Sequence, residues 1–161
     1  MILKMFLNEK SFKQVAKNSP IAAIDLCIFN EAKEILLGKR INPPAKSFFF
    51  VPGGRIRKGE TLFISTKRIL NNEMNYEITE KDFNTFSLLG VFQHFYNDNF
   101  CGNKQFSSHY VVIVYLVPLK ILKKSKFGNF KDQHDEYIWY NKTTHENLLI
   151  HPYCKEYFKK L

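Results

Sequence analysis

Residues 21–29, Ile-Ala-Ala-Ile-Asp-Leu-Cys-Ile-Phe, constrain this chain more than any other stretch. The run is apolar on both alternating faces, the pattern of a strand buried from both sides. Such a strand needs packing layers above and below it, which points to a sheet enclosed in a sandwich. Asp25 interrupts the run, and a carboxyl buried there needs a partner. A structural pairing with an arginine such as Arg40 meets that need, and so does a role beside a ligand.

The rest of the chain supplies the layers. Residues 8–17 carry Phe12, Val15 and Ala16 at helical spacing, and Ser19-Pro20 ends that helix. Short strands are predicted at 34–40 and 47–51, around the Asn42-Pro43-Pro44 turn. Leu62, Thr66, Ile69 and Leu70 place a helix over 61–73. Residues 86–96 and 108–117 are rich in β-branched and aromatic side chains and read as long strands, with a polar loop over 97–107. A basic loop over 120–135, a strand over 136–140 and helical material over 144–160 complete the reading. The expectation is a mixed α/β sandwich, one domain across 1–161, large enough to bury a core without staples.

Composition narrows the function classes. Hydrophobic residues make up 45% and aromatics 16%, a globular balance that argues against disorder. Cys27, Cys101 and Cys154 are far apart and odd in number, which supports neither a disulfide framework nor a zinc site and fits a reducing cytoplasm. The opening apolar run is too short for a signal peptide, and the longest apolar runs are strand-sized, so no membrane partner is expected. The net charge of +9 points to an anionic partner without choosing between a polymer and a small ligand.

The chemistry is concentrated in Pro52-Gly53-Gly54-Arg55, followed by Glu60, Arg68 and Glu73. Five residues separate Gly54 from Glu60, and seven separate Glu60 from Arg68. Paired glycines ahead of a helix let the backbone approach a diphosphate closely, and the helix offers carboxylates for a hard cation. This frame resembles the Nudix signature, in which three glutamates would stand at 69, 72 and 73 on one helical face. Here those positions hold Ile69, Asn72 and Glu73. One helix carboxylate suits one metal ion, which favours breaking the bond from sugar carbon to oxygen over attack at phosphorus. Glu60, a turn away from the metal face, is expected to be structural.

Further segments extend the resemblance. Ile24-Asp25-Leu26, Leu36-Leu37-Gly38-Lys39-Arg40, Gln93-His94-Phe95-Tyr96-Asn97-Asp98-Asn99-Phe100, Ser108-His109-Tyr110-Val111-Val112 and Gln133-His134-Asp135-Glu136-Tyr137 occur in the order and approximate spacing of the GDP-mannose mannosyl hydrolases. The resemblance runs from about Met5 to Phe158 and implies the α/β/α sandwich of that superfamily with a mixed sheet. It also implies a cytoplasmic homodimer that converts GDP-mannose or GDP-glucose to GDP and free sugar with inversion. Its magnesium ligands, which manganese also accepts, fall on Gly53, Glu73 and Gln133, and its general base falls on His134. Asp25, Arg40 and His94 match residues acting around the sugar and leaving group, and Arg55, Arg68 and Tyr110 match substrate-binding positions.

This chain departs from the family at Asn75, where the signature has Gly, and at Phe49, Phe92 and Asn97, where Trp, Trp and Asp are expected. Asn tolerates a left-handed backbone, whereas the aromatic exchanges bear on which sugar is preferred. The residues alone leave two alternatives open: a pyrophosphohydrolase attacking phosphorus, and a non-catalytic nucleotide- or RNA-binding module. The Gln133-His134 pair counts against the second, because binding alone needs no base.

Overall fold

The computed structural model describes residues 7–102, 105–124 and 134–161. In chain order the elements are α1 (Glu9–Asn18), β1 (Ile21–Phe29), β2 (Ile35–Arg40), β3 (Phe49–Phe50), β4 (Gly53–Arg55) and α2 (Leu62–Met74). Then follow β5 (Tyr76–Glu77), α3 (Glu80–Phe83), β6 (Ser87–Tyr96), β7 (Ser108–Pro118), a single 3-10 turn at Leu119–Ile121, β8 (Lys123–Lys124), β9 (His134–Tyr140) and α4 (Pro152–Phe158).

The main sheet runs β3-β2-β1-β7-β6, with β4 paired to β1 and β9 paired to β2. β1 and β7 are parallel while the other pairs are antiparallel, so the sheet is mixed. β5 and β8 form a separate ribbon.

The two apolar faces of β1 explain the layering. Ile24, Leu26 and Ile28 pack with Ile69, Leu70 and Met74 of α2. Ala23 and Cys27 point the other way, into a cluster with Val112, Val114, Cys154 and Tyr157. A helix thus covers each face, which is the α/β/α sandwich. Asp25 shares the α4 side with Ala23 and Cys27, because side chains alternate along a strand.

Local chemistry sets the ends of the helices. Asn8 caps α1 by accepting from the backbone N–H of Ser11, and Thr61 caps α2 by accepting from Ile64. α2 ends at Asn75, whose φ of 55° is left-handed. The departure from the signature glycine is therefore absorbed by one of the few side chains that tolerate this conformation.

Two segments differ from the sequence reading. Helical material expected over 144–160 shrinks to α4, because His151 caps a helix that begins at Pro152, where the missing N–H does no harm. Upstream, Asn141 and His145 close a turn on one another, and Ile150 bridges to Phe49. Part of the basic loop expected over 120–135 is strand: Lys123–Lys124 pairs with β5, and β9 begins at His134, whose backbone lies opposite Arg40.

Asn75→Val should cost about 1–2 kcal/mol in chemical denaturation because it forces a β-branched side chain into the left-handed cap. Asn75→Gly should be tolerated. Equal losses from both variants would show that the cap conformation is not what Asn75 provides.

Candidate functional site

The turn that leaves β3 returns the chain antiparallel along β1, so that Gly53 pairs with Asp25 and Gly54 with Ile24. This close passage requires glycine. A Cβ at position 53 would lie 2.1 Å from Asp25 Oδ1, and one at position 54 would press on Ile69 of α2 at 3.3 Å. From the α2 side, Glu73 is buried against the same backbone and accepts from the Gly53 N–H at 3.3 Å. The Glu73 carbonyl also accepts from the Tyr137 hydroxyl at 3.1 Å.

Gly53 therefore sits between two buried carboxyls. Burial pushes Glu73 up to about 8, opposed by Arg40 and the Gly53 N–H and reinforced by Asp25. Burial likewise raises Asp25 to about 7, against the hydrogen bond from Tyr157 and the charge of Arg40. Two buried acids thus share the charge of Arg40, with Arg68 also acting on Glu73, and burial outweighs both.

A cavity of about 520 Å³ opens beside this point. Its walls bring together Asp25, Arg40, Gly53, Arg55, His94 and Tyr110, all anticipated as site residues. Arg40 is anchored by its Nε, which donates to the Pro44 carbonyl at 3.0 Å. Arg55 lies with its guanidinium 3.6 Å from the ring centre of Phe12, which packs on Phe100 with ring centres 4.5 Å apart. Burial and the nearby Arg68 cation both loosen Arg55's hold on its proton, and a bound anion would reverse that. Burial also raises the Tyr110 phenol, which therefore stays protonated and able to donate.

His94 is buried on β6 and stacked on Tyr153, with ring centres 4.3 Å apart. Burial first, and then His151, lower it to about 4, so it is neutral at physiological pH. Its Nε2 lies 2.9 Å from the Tyr157 hydroxyl, which donates to Asp25 Oδ2 at 2.6 Å. Asp25's direct hydrogen-bond partner is thus a tyrosine, with Arg40 acting on it through charge.

Arg68 takes a different place from the other anticipated residues. Its Nε and Nη2 bind the two oxygens of Glu60 at 2.6 and 2.7 Å, and Nη2 also donates to the Arg55 carbonyl at 2.8 Å. Glu60 further accepts from the Ser65 hydroxyl and the Arg57 N–H. The pair braces the turn that carries Arg55 and keeps the Arg68 fork away from the cavity. Gln133 lies outside the described residues, as does the side chain of His134.

Sequence reasoning missed Tyr157, Tyr153, Phe12, Phe100 and Tyr96. Tyr153 and Tyr157 stand one turn apart on α4, a spacing that signals a shared helix face but not a site.

The family model described as the NUDIX domain matches residues 19–157, and the chain belongs to that family. The low-salt glycan biosynthesis protein Agl8 of Haloferax volcanii is 33% identical over 111 residues, covering 69% of this chain and 67% of that protein. The MutT NUDIX hydrolase from Burkholderia pseudomallei has the same fold, with a TM-score of 0.68 at 18% identity over 89% of this chain and 99% of its own. The NUDIX domain of Shewanella oneidensis NrtR, solved with ADP ribose, gives a TM-score of 0.57 at 14% identity over 96% of each chain.

Nudix hydrolases use a divalent metal such as magnesium. The donor set here fits one: a buried Glu73 carboxyl beside the Gly53 backbone is oxygen chemistry suited to a hard cation.

The brace has a measurable pH signature. Burial alone would raise Glu60, but the bonds from Arg68, Ser65 and Arg57 outweigh it and bring it from 4.5 to about 2. A depressed carboxylate contributes stability above its unfolded pKa and loses it as pH falls through the folded one. The Tm of the wild type should therefore fall between about pH 4.5 and 2. Glu60→Gln should lower Tm at pH 7 and flatten the fall in that window; an unchanged slope would remove Glu60 as its source.

Proposed function

We propose that this Nudix hydrolase cleaves a GDP-sugar, GDP-mannose or GDP-glucose, to GDP and free sugar by water attack at the anomeric carbon with inversion. One observation carries the reading: Glu73 is the single acidic residue of α2, buried beneath the glycine turn, where attack at phosphorus would call for a cluster. The resemblance of the flanking motifs supports it, as does a relative named for glycan biosynthesis.

Gly53, Glu73 and Gln133 would hold magnesium, which when bound supplies positive charge against the diphosphate. Arg40 and Arg55 bind the diphosphate oxygens, a task for which the guanidinium fork is suited. His134 accepts a proton from water as the water oxygen bonds to the anomeric carbon. The carbon–oxygen bond to the diphosphate breaks, and GDP leaves with the electron pair. Asp25 faces the positive charge that develops on the sugar, and His94 and Tyr110 stand beside the leaving group. Arg68 acts by bracing the Arg55 segment. A cytoplasmic homodimer of one-domain chains belongs to the same proposal, with no nucleic-acid or membrane partner.

Incubation with GDP-mannose or GDP-glucose and magnesium, followed by proton and phosphorus NMR, should give GDP and free sugar, with the inverted anomer first. His134→Ala should lower turnover by about 10²–10⁴-fold and leave GDP binding nearly unchanged. Release of GMP and sugar 1-phosphate would instead assign attack at phosphorus. Absence of turnover on both sugars would overturn the proposal and favour another nucleotide derivative or a binding module.

A further inference from the structure

Tyr157 is fully buried on α4 and lines no part of the cavity, yet its hydroxyl touches two groups that do. It donates to Asp25 Oδ2 at 2.6 Å and meets His94 Nε2 at 2.9 Å. A phenol has one proton to give, and it goes to Asp25 Oδ2 where that carboxyl is ionised, as at pH 8. The second contact is then a bond that the phenol oxygen accepts, so the hydrogen must sit on Nε2 of His94. That fixes the neutral imidazole in one tautomer, with Nδ1 left as the acceptor.

A second tyrosine of the same helix holds the ring from its face. Tyr153 lies parallel to the His94 imidazole, with a 6° angle between planes and 4.3 Å between centres. Its own hydroxyl is tied to β6, donating to the Phe95 carbonyl and accepting from the Phe95 N–H, both at 2.8 Å. Phe92 packs edge-on against Tyr157 at 4.7 Å, and Phe50 packs edge-on against both Tyr157 and His94. These rings leave the Tyr157 hydroxyl little freedom to turn away.

We propose that Tyr157 is a positioning residue of the cavity, its hydroxyl tying His94 to Asp25 and thereby setting the imidazole tautomer and the carboxylate orientation that a substrate meets. The catalytic consequence rests on the GDP-sugar reading above. The tie itself does not.

The test uses the full chain and Tyr157→Phe, which keeps the ring and removes only the bridge. Nitrogen NMR of the His94 ring at pH 8 should find hydrogen on Nε2 and an unprotonated Nδ1 in the wild type. In Tyr157→Phe the two ring nitrogens should move toward each other as the tautomers exchange. With GDP-mannose and magnesium, kcat should fall by about 10–100-fold while KM changes little, as for a misaligned reacting group. Tyr153→Phe, which retains the stack, should leave the tautomer unchanged.

Hydrogen on Nδ1 in the wild type would overturn the proposal, as would ring-nitrogen shifts that ignore the substitution. A fall in kcat without a tautomer change would also overturn it, because the loss would then arise elsewhere. If Tyr157→Phe does not fold, the wild-type tautomer alone supports or overturns the proposal. If the wild type turns over neither GDP-sugar, the function reading fails, and the tautomer comparison still decides the tie.

Discussion

Asp25 is a carboxyl placed in the middle of the strand around which both cores are built, and the rest of the site is arranged to make that tolerable. An unpartnered carboxylate in such surroundings is too costly to keep ionised. The Tyr157 hydroxyl gives it a hydrogen bond, Arg40 gives it an opposite charge, and Gly53 gives its Oδ1 the space that any side chain would fill. These three come from α4, β2 and β4, so a covering helix and two strands of the sheet are drawn to one point on β1. Satisfying one buried charge and assembling a cavity are here the same packing problem.

The second organising interaction lies on the opposite face. Arg68 and Glu60 close a brace across the turn between β4 and α2, and the Arg68 fork also holds the Arg55 carbonyl. A turn secured by five hydrogen bonds to two side chains keeps Arg55 at the cavity edge over Phe12. Positioning of this kind matters because small displacements of a charged group lose much of its effect on a bound ligand. Arg40, Arg55 and Arg68 thus divide their work: the first two face the cavity and the third supports the segment on which Arg55 stands.

The departures from the Nudix signature have different physical weights. Asn in place of the closing glycine changes little, because α2 still ends in a left-handed residue. Ile69 in place of a glutamate changes more, since it packs under Gly54 and belongs to the apolar cluster between α2 and the sheet. A metal-facing position of the signature has become a core position. Together with Asn72, that exchange leaves Glu73 as the single carboxylate of α2.

Much of the fold was legible in local pattern. The two-sided apolar run of β1, the helical spacing of α2 and the β-rich segments of β6 and β7 each depend on neighbours a few residues away, which periodicity records. The glycine turn and the helix after it were legible for the same reason, and six of the anticipated residues meet at the cavity. Other features depended on contacts that no local pattern encodes. Tyr157 reaches Asp25 across 132 residues, Tyr153 reaches β6 across 58, and Arg68 turns to Glu60 where a ligand contact was expected. The short α4 was also decided tertiarily, since Phe49 captures Ile150 in a bridge before the helix can begin. Sequence determined which segments could be strand or helix, because backbone sterics and side-chain alternation act locally. Tertiary structure decided which buried polar groups satisfy one another, because a hydrogen bond requires only proximity in space.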